Sequence, residues 1–403
     1  MSGPVDDPSE VAVIAAAIAG APLATFDLEF LSAERLIPSL CLVQVSWLPS
    51  HTRLDVAESV IVATVPEVRL LDPLAVDLRP VIAALAAHPL VVAHAPRQDL
   101  GLLYAKYQIA MPNLLDTQLM AAFAGIGDQV GLSTLALELL GLSLGKEQQW
   151  TDWAKRPLSD AQLAYADADV RHLPALFARL RTRLGDRMPW VRAESAEVAA
   201  DAVAAATVTA ETAWRQVGGL RGLDARALAT LIGLAAWRFE VATELDRPLG
   251  QVLSEKVLID LARQRPQNAN AVRGIKGLSP LARQRADELM EVIESADPAA
   301  ARDLVMASGR APSQRAQRWS ELILAIVQLV ADRTGVASRL LATRTDAEEL
   351  ARTVDEHGLA AAEKLPVMTT WRREVIGQPV LDWLSGKAVL VGDLETPMGL
   401  ALR

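Results

Sequence analysis

Between Leu23 and Leu103 the chain sets short apolar runs between polar breaks: LATFDLEF, SLCLVQVSW, VRLLDPL and PLVVAHA. Runs of this length predict β-strands. The last leads at once into PRQDLGLLYAKY, where Leu100, Leu103 and Tyr107 recur at helical spacing, so a strand feeds a helix and an α/β layer begins. From Gly131 to Leu184 the pattern is helical. Ser159 stands before AQLAYADADVRHLPALFARL as a helix start, and Pro174 inside that run predicts a kink or a division. Residues 193–208 are alanine-rich and read as a connecting helix or linker.

A second kind of pattern begins near Thr209. Several short amphipathic helices are separated by breaks at Gly218-Gly219, Pro248-Leu249-Gly250 and Pro266, and Ser295 to Arg310 reads as a joint. Beyond the joint comes another all-helical unit. The two units share an order of parts: a tryptophan near the first helix, a long apolar helix, a charged turn, a helix that opens on acidic residues and a final helix. That order predicts divergent repeats of one small domain. Trp214, Trp237, Trp319, Trp371 and Trp383 fall at helical positions in them and are expected in their cores. Disorder is expected in the first ten residues alone.

A length of 403 residues, at roughly 150 per domain, allows two or three domains. Cys41 is the single cysteine, which excludes an internal disulfide and a cysteine-based zinc site and favours a reducing compartment such as the cytoplasm. The longest apolar stretch, Val11 to Ala24, contains Gly20 and Pro22 and follows Asp6, Asp7 and Glu10. It is too short to span a membrane and wrongly flanked for a signal peptide. The net charge of −9 argues against coating nucleic acid by bulk charge. Of that charge, −8 belongs to residues 1–200, whereas Arg263 to Arg285 holds Arg263, Arg265, Arg273, Lys276, Arg283 and Arg285 with no acidic residue between them.

The sharpest chemistry lies in Phe26-Asp27-Leu28-Glu29-Phe30. Side chains two apart on a strand share a face, so Asp27 and Glu29 point together, away from Phe26, Leu28 and Phe30. Such a pair fits a solvent-facing edge strand or a site for a hard divalent cation. Asp99 follows the strand PLVVAHA at a helix start, where a carboxylate also serves as a first-turn residue. In Tyr165-Ala166-Asp167-Ala168-Asp169, Tyr165 and Asp169 share a helix face while Asp167 points away and is expected in solvent. Asp116 is expected to cap the helix after it.

An Asp-x-Glu on an early strand, an Asp after a later strand and a Tyr-x-x-x-Asp on a late helix together resemble the three motifs of the DEDD exonucleases, in the form with a tyrosine in the third motif. The whole chain resembles the bacterial ribonuclease D family. KEQQWTDWAKRPLSDAQLAYADADVRHL is similar to that family's segment around the third motif, HAPRQDL is similar to its second, and residues 207–292 and 312–395 resemble HRDC domains. Where the family commonly has Thr between the two acids of the first motif, this chain has Leu28, and Ser32, Leu36 and Ile37 replace its basic and aromatic followers. That bears on how the terminal nucleotide is gripped.

The resemblance implies an RNase H-like α/β exonuclease domain with a mixed sheet over 1–200, followed by two all-α HRDC domains. It implies that Asp27, Glu29, Asp99 and Asp169 hold two Mg²⁺ or Mn²⁺ ions and that Tyr165 orients the attacking water. A phenol is a poor base at neutral pH. The expected activity is 3′→5′ trimming of RNA with a free 3′ end, tRNA precursors included, by a cytoplasmic monomer that needs no organic cofactor. Phosphate or RNA contacts are expected from His94, Lys146 and Arg156, and from Arg273 and Lys276 in the Gly-rich turn RGIKGLSP. Trp150 and Trp153 are expected behind the site or facing the substrate. The competing expectations are a DNA exonuclease of the same superfamily, which the carboxylates do not distinguish, and an inactive nucleic-acid-binding scaffold.

Overall fold

A computed structural model describes residues 3–145, 147–148, 150–220, 222–307, 312–396 and 398–403. Its N-terminal part has strands β1 (Ala24–Leu31), β2 (Ser39–Trp47), β3 (Glu67–Leu71), β4 (Val91–Ala93) and β5 (Leu114–Asp116). Its helices are α1 (Pro8–Ala19), α2 (Glu58–Ala63), α3 (Arg79–Ala87), α4 (Arg97–Tyr107), α5 (Thr117–Phe123), α6 (Leu132–Leu140), α7 (Asp160–Arg171), α8 (Leu173–Leu184) and α9 (Met188–Ala206). The sheet order is β3-β2-β1-β4-β5, antiparallel from β3 to β1 and parallel from β1 to β5, which is the expected mixed sheet. Phe26 and Leu28 lie buried with α1, α3 and α4 on one face, so Asp27 and Glu29 turn to the other, beneath α7.

The long helical run divides where Pro174 predicts. α7 ends at Arg171, and α8 begins at Leu173 with the proline in its first turn, where a missing N–H costs nothing. The described residues of 141–159, a stretch expected to be helical, instead form turns and irregular chain leading to Ser159. The strand β5 was not expected; three residues are too few to show a period.

Residues 3–10 are also ordered, contrary to expectation. Val5 donates to the carbonyl of Leu70 and accepts from the N–H of Asp72, and Asp7 caps α1 through the N–H of Ser9. The alanine-rich segment is no linker. As α9 it packs on α4 and β5, and the Ser195 hydroxyl accepts from the N–H of Asp116.

The first C-terminal unit has its own core, built on the 21-residue helix Ala225–Leu245 with Leu231, Leu258, Leu261 and Val272 at its centre. The expected joint belongs to this unit: helix Pro298–Ala307 packs on Ala225–Leu245 and buries Ala301. The second unit again opens on a 21-residue helix, Gln314–Thr334, and each long helix leads to a four-residue helix, Leu249–Val252 or Ser338–Leu341. It is not all helical. Leu390–Gly392 and Leu400–Leu402 pair as an antiparallel hairpin. Of the tryptophans expected in the cores, Trp237 and Trp371 are buried and Trp214, Trp319 and Trp383 are half-buried.

The second unit shares its core with the sheet domain. Ile323, Ile326 and Leu350 join Leu119, Phe123 and Leu176 in one continuous cluster. The Trp371 ring stacks on Trp190 at 5.2 Å and meets Phe123 edge-on at 5.0 Å. Its Nε1 donates to Glu194, and Arg372 pairs with the same carboxylate at 2.6 Å. Gly125 closes the contact, since a Cβ there would stand 2.9 Å from the carbonyl oxygen of Gly335.

Candidate metal centre and active site

β1 supplies the first two acids. Its pairing with β2 slips between Glu29 and Phe30, a bulge just past the second carboxylate; such bulges twist a strand and re-aim its side chains. α7 is fixed over the same face by a capping box at its start. Ser159 and Gln162 exchange hydrogen bonds, and the Gln162 amide also donates to Thr151 Oγ1 and the Asp152 carbonyl. At its other end the carbonyl of Val170 accepts from Ser46 Oγ at 3.0 Å and from Thr25 Oγ1 at 3.5 Å. These anchors place Asp169, and ligand oxygens of Asp27, Glu29 and Asp169 all lie within 4.8 Å of one another.

Asp99 comes from the first turn of α4 and is buried. The chain reaches it through Ala95, which takes a left-handed φ of 51° and donates its N–H to Asp116 Oδ1 at 2.9 Å. Asp116 caps α5 through the N–H of Gln118 at 2.7 Å, as expected. Asp99 is not one of the trio, but its charge bears on Glu29 and is itself opposed by Asp27.

The electrostatics are those of acids crowded out of water. Burial pushes the Asp27 carboxyl up to about 7, against a partial offset from the N–H of Leu28. Burial, then the charges of Asp27, Asp169 and Asp99, push Glu29 up to about 9. Burial and Asp27 raise Asp169 to about 8, and burial, Asp27 and Asp116 raise Asp99 well above the carboxylate range. An all-oxygen donor set that resists ionising by itself fits a hard divalent cation, which would hold every member charged. The Tyr165 phenol is raised too, by burial and then by Asp169, Glu29 and Asp27, so it keeps its proton at neutral pH. Trp153 is buried behind it, with ring centroids 6.1 Å apart, while Trp150 is 90% exposed.

Other residues fall differently from expectation. The five N–H donors of Arg156, expected at phosphate, go instead to Asp72, Cys41, Trp153 and Lys155, which clamps the turn before α7 to β2 and to the end of β3. Asp167 is not in solvent but paired with Arg171 at 2.5 Å, its side chain 16% exposed. His94 Nδ1 bonds the Thr117 hydroxyl at 2.9 Å, and burial lowers the imidazole to about 4. Arg273 pairs with Asp287, Arg265 with Asp224 and Arg285 with Glu244; Arg263, Lys276 and Arg283 are exposed. Lys146 lies outside the described residues.

Sequence reasoning missed Gln44. It sits opposite Asp27 in the β1–β2 register, fully buried, with no hydrogen-bond partner for either amide atom. The available signal was a lone amide in the otherwise apolar run SLCLVQV.

Residues 4–185 match the family model for 3′-5′ exonucleases, and residues 228–293 match that for the HRDC domain. A mixed sheet bearing this carboxylate cluster, in a segment so matched, defines a 3′–5′ exonuclease with an appended HRDC domain. Ribonuclease D of Acidiphilium cryptum is 33% identical over 395 residues, spanning 96% of this chain and 94% of the relative. Ribonuclease D of Jannaschia sp. is 32% identical, over 94% and 95%. The crystal structure of Escherichia coli RNase D, an exoribonuclease involved in structured RNA processing, superimposes with a TM-score of 0.75 at 24% identity, covering 96% of this chain and 99% of that one. The chain belongs to the ribonuclease D family.

Proposed function

We propose that this exoribonuclease holds two Mg²⁺ or Mn²⁺ ions on Asp27, Glu29, Asp99 and Asp169 and trims RNA from the 3′ end, tRNA precursors included, releasing 5′-nucleoside monophosphates. The observation that carries the reading is the convergence of Asp27, Glu29 and Asp169 within 4.8 Å at the end of a strand, with Asp99 beside them. When bound, such ions supply the charge that activates a water and stabilises the leaving oxygen. The remaining work falls to the chain. The carboxylates, drawn from β1, α4 and α7, fix where that charge sits. Tyr165, still protonated, donates its hydrogen bond and orients the attacking water without taking its proton. Glu29 also reaches the 3′ hydroxyl of the terminal nucleotide.

The domains are 1–200 for catalysis, 207–292 for the first HRDC domain and 312–395 for a second, HRDC-like one. The paired 21-residue helices, each followed by a four-residue helix, support the repeat. Tyr165, one turn before Asp169 on α7, supports membership of the tyrosine-containing subgroup. Arg263, Lys276 and Arg283, exposed around the hairpin of RGIKGLSP, offset the acidic catalytic domain and draw in the polyanion. Among the described residues no helix is long and apolar enough to cross a membrane. A reducing compartment such as the cytoplasm suits the lone, buried Cys41, and the chain is read as a monomer.

The test is a 5′-labelled single-stranded RNA and its DNA counterpart, incubated with wild type and Asp169→Ala in Mg²⁺, Mn²⁺ or chelator. A metal-dependent ladder shortening from the 3′ end of RNA, absent in the variant, is expected. Equal or faster shortening of DNA would make the chain a DNA exonuclease. Binding with no shortening would leave a scaffold.

A further inference from the structure

Opposed residues of an antiparallel pair project from the same face of the sheet, so Gln44 on β2 shares its face with Asp27 on β1. The pairs on either side show what that face is for. Thr25 and Ser46 bond each other at 2.7 Å and both hold the Val170 carbonyl, one residue from Asp169. Glu29 opposes Leu42, which is buried with Leu70, Trp153 and Ala166 under α7. Gln44 lies between these rungs with no exposed surface, and neither Nε2 nor Oε1 has a partner. Two donors and an acceptor sealed from water without partners destabilise the fold, and an apolar side chain of the same volume would serve the core better. A primary amide in that position calls for a partner supplied in another state of the molecule.

We infer that Gln44 is a positioning residue for Asp27: its amide N–H donates to the Asp27 carboxylate when that carboxylate ligates a divalent ion. The inference rests on the metal-centre reading above. Outer partners of this kind fix the direction of a ligand and support its charge, and losing one weakens metal affinity by about 10- to 100-fold. Another buried group without a partner, the indole N–H of Trp153, is the competing donor to consider for the amide oxygen. A Gln44–Trp153 bond would give the amide a purely structural purpose.

The experiment compares the full chain with Gln44→Met, and with Gln44→Leu should methionine pack poorly. Mn²⁺ affinity is measured by electron paramagnetic resonance or calorimetry, and thermal melting is followed in chelator. The expected result is Mn²⁺ binding weakened about 10- to 100-fold in a variant whose chelated form melts at or above wild type. Unchanged Mn²⁺ affinity overturns the inference, as does a variant that melts well below wild type in chelator with its affinity intact. If wild type itself binds no Mn²⁺, the metal-centre reading falls and this inference with it. Binding by wild type that the variant matches removes the inference alone.

Discussion

Arg156 holds Asp72 with two prongs, Nε to Oδ2 at 2.5 Å and Nη2 to Oδ1 at 2.7 Å, across 84 residues of sequence. The Asp72 side chain is only 10% exposed and that of Arg156 27%. Removing the cation would leave a nearly buried anion with the N–H of Leu74, at 3.0 Å from Oδ1, as its remaining partner. Partial exposure moderates the loss, so Arg156→Ala is expected to cost about 2–3 kcal/mol. Arg156→Lys, unable to copy the fork, should recover little of it. At temperatures where the variants stay folded, KM for RNA should hold; a raised KM with unchanged stability would restore the phosphate role.

For Asp27→Ala we expect turnover to fall by at least about 10³-fold, as when groups that act as a unit are broken. The fold should survive, because the variant removes a crowded, buried acid. Circular dichroism and RNA binding in chelator check this, and collapse of the fold would make Asp27 a structural residue.

Tyr165→Phe keeps the ring against Trp153 and removes only the hydroxyl. Turnover is expected to slow by about 10- to 100-fold, toward the low end of what a positioned proton-bearing group contributes, with Mn²⁺ affinity unchanged. An unaltered rate would end its role in orienting water.

The raised carboxyls make stability depend on pH with a definite sign. From about pH 4 to 9 the chelated native chain binds more protons than the unfolded one, because Asp27, Asp169 and Glu29 titrate near 7, 8 and 9 only when folded. Stability of the metal-free protein should therefore fall as pH rises through that window. A divalent ion displaces those protons, so the gain in Tm from Mg²⁺ should grow from pH 5 to 9 and binding should release protons. Melting curves in Mg²⁺ and in chelator test it; a gain independent of pH would contradict the charges assigned to the cluster.

The loop after β1 is tied to the HRDC domain. Asp246, left-handed at the end of helix Ala225–Leu245, accepts from Arg35 at 2.6 Å and from the N–H of Leu36 at 3.2 Å, and Gln251 donates to the Ala33 carbonyl. Both Arg35 and Asp246 are about half-exposed, so Asp246→Ala should cost less than about 1 kcal/mol. Amide exchange at 33–37 should nonetheless quicken, and unchanged exchange would mean that Leu36 packing and the Gln251 bond hold the loop without Asp246.

What was legible in the chain was local. Asp27 with Glu29, Tyr165 with Asp169, the Ser159 cap and the break at Pro174 each follow from spacings of two to four residues, which strands and helices convert directly into shared faces. The short strand runs and the helical spacing after them gave the α/β reading, and the mixed sheet came with the family resemblance. Arg156 was misread because its partner Asp72 is distant in sequence, and a basic residue beside a nuclease motif looks the same in either role. Val5 and the hairpin ending at Leu402 escaped notice because their order depends on pairing, not on period. Gln44 carried a visible signal, a lone amide among apolar residues, whose meaning required the register that sets it against Asp27.

The merged core of the sheet domain and the last helical unit has a consequence for synthesis. Glu194 waits 177 residues for Trp371, and Asp128 waits 211 for Arg339. On the ribosome the catalytic half is therefore made before the helices that complete its core, with Phe123 and Trp190 left without Trp371 until that much later residue is added. A chain that stops before Gln314 would carry every acid of the motifs and lack the helices that share a core with them.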